Sequence, residues 1–63
     1  MQTGVLILFD DDESWMFINE TEKRGIWLDT KIKSEAIAWL EQDGWEFQWT
    51  HPNKEEHKFH KYT

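Results

Sequence analysis

No cysteine occurs among the 63 residues of this chain. Disulfide bonds, cysteine-based zinc sites and thiol nucleophiles are therefore excluded. Glycine is nearly as scarce, and Gly4, Gly25 and Gly44 lie too far apart to form a loop that cradles phosphate. Serine occurs only at Ser14 and Ser34, neither within a Gly-x-Ser-x-Gly turn that would present a nucleophile. Long apolar runs are missing too. The run Val5–Phe9 falls far short of the roughly 20 residues needed to cross a bilayer. It is too short for a secretory leader, and no basic segment precedes it. A soluble, cytoplasmic protein is expected. Positive charge is in deficit: 7 Lys and Arg stand against 13 Asp and Glu, a net charge of −6. Direct binding to nucleic acid or to an anionic membrane is disfavoured, because both are polyanions, and a basic protein partner fits better.

Aromatic residues are what the chain has in quantity. Five Trp, four Phe and one Tyr are present, and each large ring can bury on the order of 150–250 Å². That matters at this length, which predicts one domain over residues 1–63. A chain so short buries only roughly 60% of the surface exposed by its unfolded form. A homodimer would be another source of buried area.

The stretch Ser34–Thr50, SEAIAWLEQDGWEFQWT, organises the rest. Helical spacing gathers Ile32, Ala36, Trp39 and Leu40 on one side, with Ile37 at the margin. Ser34 is a candidate N-cap and Thr30 a competing one. Gly44 follows the helix where positive φ is required, which glycine adopts without steric cost. The period then changes to two, with Trp45, Phe47 and Trp49 on one strand face. Upstream, Gly4–Phe9 reads as a central strand or one covered on both faces, and Trp15–Asn19 as its hairpin partner. The acidic run Asp10, Asp11, Asp12 and Glu13 occupies the tip between them. A polar turn with Gly25 at positive φ leads to a third strand from Ile26, and Lys58–Tyr62 makes a last one. The fold class is α+β: a small antiparallel sheet, β-β-β-α-β-β, with one helix packed on one face.

Several residues invite a site. The acids Asp10–Glu13 offer oxygens to a hard cation, but the EF-hand spacing is absent and a solvated turn is the simpler reading. On a strand, His57 and His60 would point to opposite faces and cannot chelate together; with His51 they are read as surface residues. Trp45, Phe47 and Trp49 are read as core, the alternative being a stacking platform for a sugar, a base or a proline-rich peptide. Trp15 and Trp27 are less constrained, and one of them at a partner surface would suit tryptophan's enrichment there. No catalytic residue, cofactor or metal is expected. The candidate partner-binding residues are Asp10, Asp11, Asp12, Glu13, Trp15 and Trp27.

The segment Leu40–Thr50, a helix end followed by Gly44-Trp45-Glu46 and an alternating strand, resembles a group of small uncharacterised bacterial domains. That resemblance implies a helix, a Gly-Trp-Glu junction and a strand pair, and no function. The start Ser34-Glu35-Ala36-Ile37 is similar to helices of small phage-integrase arm-binding domains, from which the acidic loops depart. Two functions are compatible with these features. One is a non-catalytic protein-binding or accessory domain using a sheet edge or aromatic patch. The other is an acidic decoy that offers carboxylates where a nucleic-acid-binding enzyme expects phosphates.

Overall fold

Five antiparallel strands and one helix make up the computed structural model, which describes residues 1–9 and 14–62, with Phe9 described by its backbone alone. The elements are β1 (Gln2–Phe9), β2 (Ser14–Asn19), β3 (Arg24–Leu28), α1 (Lys33–Gln42), β4 (Trp45–Thr50) and β5 (Glu56–Lys61). The sheet order is β3-β2-β1-β5-β4, so the first and last strands are neighbours at its centre. Gly4 lies between Asn19 of β2 and Phe59 of β5, and Leu6 between Phe17 and His57. The chain must cross from the β3 edge to the β4 edge, a span of about 19 Å at a strand spacing near 4.8 Å. The ten residues of α1 cover about 15 Å of that span, at 1.5 Å each, and so lie across one face.

On the helix-covered face, Leu6, Trp15, Phe17, Leu28, Ala36, Leu40, Trp45 and Phe59 form the core. Phe17 is its hub, meeting Trp45 edge-on at 4.7 Å and Phe59 at 6.1 Å between ring centroids. Its ring lies over Gly4, where a β-carbon would strike Phe17 Cζ. A side chain at residue 4 and a phenyl ring at residue 17 thus exclude one another. At the rim, Asn19 Nδ2 donates to Gln2 Oε1 (3.0 Å), while its Oδ1 accepts the Glu22 N–H (2.9 Å). This pair fixes the turn at residues 20–23, in which Lys23 takes positive φ (58°). Gly25, the residue the sequence offers for that role, instead pairs with Ile18 within β3 and does not take positive φ.

The helix differs in orientation from its amphipathic pattern. Ala36 and Leu40 are buried and Ile37 packs against the core, whereas Ile32 and Trp39 are exposed, Trp39 at 45%. The buried stripe is rotated toward Ile37, with the small Ala36 fully buried against the sheet. Ile32 occupies the N-cap without a side-chain hydrogen bond, and Ser34 is already helical. Thr30 supplies the polar anchor from outside: its hydroxyl accepts the Ile32 N–H (3.1 Å) and donates to Glu35 Oε2 (2.9 Å). At the other end Gly44 has φ +92°, as the junction requires, and its N–H bonds Glu41 O (3.0 Å). Lys61 extends from β5 to Asp43 (3.4 Å), bringing a cation to the negative end of the helix.

Two measurements check this packing by urea denaturation. Leu40→Ala should cost about 2–5 kcal/mol, as for a buried leucine, and Trp39→Ala clearly less, because half of that ring is already in water. Gly4→Ala should cost about 1–3 kcal/mol through overpacking. The double variant Gly4→Ala/Phe17→Leu should be less destabilised than the sum of its single changes, since the two side chains compete for one volume.

Candidate binding surface

Strand alternation assigns Val5 and Ile7 of β1, Met16 and Ile18 of β2, and Trp27 of β3 to the face opposite the helix. Cross-strand register makes them neighbours. Ile18 pairs with Val5, Met16 pairs with Ile7, and Trp27 pairs with Met16. Among the described residues no helix or strand covers this face. Trp27 is 54% exposed, and Ile7, Met16 and Ile18 are half-buried. The continuous apolar run of β1 therefore fills two different environments, a packed core beneath and an open sheet surface above.

A bulge in β4 adds an aromatic ring to this open face. Phe47 pairs with Phe59 on the core side, but the next pairing is Trp49 with Lys58, leaving Gln48 as the extra residue. An inserted residue reverses the alternation that follows it. Trp49 is consequently displaced to the open face, 48% exposed, rather than joining Trp45 and Phe47. Trp45 alone of the three is fully buried; Phe47 is half-exposed at the sheet edge, its ring packed on Phe59 at 5.7 Å. Lys58, between Val5 and Trp49, reaches across β1 to Glu20 (3.1 Å). Its aliphatic stem shelters Val5, which is nearly buried although no described element covers that face.

The same bulge sets Thr50, an exposed residue, opposite His57. His57 is 1% exposed, a core residue rather than a surface one, with Trp15 and Phe47 at 5.7 and 6.5 Å between ring centroids. His57 Nε2 lies 3.2 Å from Glu55 Oε2 and Nδ1 2.8 Å from Thr50 Oγ1. A carboxylate only accepts, so Nε2 donates to Glu55, and the Thr50 hydroxyl is the partner of Nδ1. Both nitrogens are satisfied, which is the condition for burying an imidazole in an apolar core. His60, three residues on, points to the opposite face, so the two rings diverge as their strand spacing requires.

Of the residues singled out from the sequence, Trp27 reaches the open face and Trp15 does not. Trp15 is 3% exposed and belongs to the core, where its register neighbours are Leu8 and Leu28. Asp10, Asp11, Asp12 and Glu13 lie outside the described residues. Among the described residues, no group of three His, Asp or Glu side chains is placed to hold a metal ion, and no helix is long and apolar enough to cross a membrane. Phe17, Asn19, Arg24, Trp39 and Trp45 border a cleft of about 200 Å³ near the end of α1, and Trp27, Leu28, Asp29, Thr30, Glu35 and Trp39 border an open one of about 420 Å³, within the roughly 300–1,000 Å³ of small-molecule sites. No family model, no curated protein and no solved structure matches the chain.

The sequence pattern alone did not locate the open face. Alternation within β4 assigned Trp49 to the core, and only the bulge reverses it. The available signal was β1, apolar on both of its faces in a chain with a single helix to cover one.

Removing the hydroxyl that bonds His57 tests the buried cluster. Thr50→Val should cost about 1–3 kcal/mol, because Nδ1 is then buried without a partner, whereas Thr50→Ser should stay close to the parent. Equal urea midpoints for the two variants would contradict the assignment.

Proposed function

We propose that this chain is a small non-catalytic protein-binding domain that works through the open face of its sheet. The observation that carries this reading is the patch of Ile7, Met16 and Ile18 with Trp27 beside it, and Trp49 beyond the Glu56 and Lys58 row of β5, a face which no described element covers. Continuous apolar surface of this kind is typical of interaction sites. Tryptophan and methionine are enriched at such sites because they combine large contact area with adaptable packing. A non-catalytic role fits the chemistry of the described residues. In the hydroxyl–imidazole pair of Thr50 and His57 the ring is buried, and both of its nitrogens are engaged. The partner's contribution to this surface would be apolar, and the form taken up below is a second copy of the chain.

Site-directed photocrosslinking in cells that express the protein tests this. A benzophenone side chain replacing Trp27 or Trp49 should give discrete protein adducts that persist at high salt, since apolar contacts are not screened. The same group replacing Trp39, on the helix side, should give none. Adducts only from Trp39, or none from either open-face position, would overturn the reading. Adducts from the Asp10–Glu13 run that disappear as salt is raised would favour the acidic decoy instead.

A further inference from the structure

We infer that the open sheet face is the contact surface of a homodimer, in which two copies stack face to face through Ile7, Met16, Ile18, Trp27 and Trp49. The inference rests on the reading that this face binds protein, and it names the partner. Three observations point to a second copy. The first is the shape of the surface: one face of a five-stranded sheet, whose natural complement is another such face, packed about 10 Å away with strands within about 30° of alignment. The second is area. Five strands of five to eight residues, about 4.8 Å apart with a rise near 3.3 Å per residue, make a footprint of roughly 24 by 20 Å. Covering it on two copies, with Glu56, Lys58 and His60 of β5 inside the covered area, removes on the order of 1,000 Å² from water, the lower bound for a specific interface. The third is the size of the core. Eight buried side chains on one face are a small store of apolar contact for 63 residues, and chains of this length commonly supplement it by association. The resulting order of layers is helix, sheet, sheet, helix, and β1 acquires a covering on both faces.

Charge gives the dimer a distinctive response. Each copy carries a net charge of −6, so the two repel at low ionic strength and salt relieves the repulsion. Association through the apolar face should therefore strengthen as salt is raised, the reverse of an interface built from ion pairs.

Sedimentation velocity and light scattering on the full chain, across a concentration series, decide the matter. The parent should move from monomer to dimer with increasing concentration, and the midpoint should fall as salt rises from low to physiological. Ile18→Lys and Trp27→Ala should each weaken association at least tenfold, while Trp39→Ala, on the helix side, should leave it unchanged. Circular dichroism confirms that each variant is folded, and Trp27→Ala, at a half-exposed residue, keeps the test open should Ile18→Lys unfold. A parent that is monomeric up to about 1 mM, where association would be worth only about 4 kcal/mol, overturns the homodimer. So does a dimer that survives both open-face changes. If the parent is monomeric while Trp27 and Trp49 still crosslink to a different protein, the homodimer fails and the protein-binding reading stands.

Discussion

The pairing of β1 with β5 is the contact on which the rest of the structure depends. Without it the chain separates into a three-stranded meander and a two-stranded hairpin joined by a helix, none of which closes a core. With it, Leu6 and Gly4 of the first strand lie beside His57 and Phe59 of the last, and Phe17 reaches across to Phe59 and Trp45. The helix then has a continuous surface to cover. Gly4 is the small residue that makes the arrangement possible, since only a bare α-carbon admits the Phe17 ring at the centre of the sheet. Because these contacts join residues from opposite ends of the chain, folding must close its longest loop before much apolar area is buried, an order associated with slow folding.

One consequence of a single helix is that the sheet has two unlike faces. The covered face is filled by rings and aliphatic groups in close contact. The other carries side chains of similar apolar character with water above them, sheltered locally where the Lys58 stem crosses toward Glu20. The β4 bulge increases the contrast in both directions. It moves Trp49 from the filled face to the open one and sets the exposed Thr50 opposite His57, where its hydroxyl partners the buried ring. One inserted residue thus supports the core and enlarges the candidate surface.

Much of this architecture was legible in the sequence because local rules and the final fold agree. The helix stop at Gly44, the strand beginning at Trp45, the β-β-β-α-β-β succession of elements along the chain and the divergence of His57 from His60 all follow from period, glycine chemistry and alternation. The errors share a cause: each involves a choice between neighbouring residues that tertiary packing decides. Trp39 falls within the helix stripe and Ile37 at its margin, yet the sheet accepts the aliphatic residue and leaves the indole exposed. Lys23 takes the positive φ because Asn19 anchors the turn to the Glu22 N–H, leaving Gly25 free to join β3. Nothing local marks Gln48 as a bulge or His57 as a core residue, since both depend on how β4 registers against β5. The open face was foreshadowed by β1, whose apolar residues on both sides called for more covering than one helix supplies.

The central claim is that β1 and β2 present apolar side chains to two different environments, one closed by the chain itself and one open. Methyl NMR with a soluble paramagnetic agent in dilute solution tests it most directly. The methyls of Ile7, Met16 and Ile18 should be strongly relaxed by the agent, and those of Leu6 and Leu40 should be protected. Protection of both sets at the highest dilution would show that the chain covers its own second face, contradicting the account.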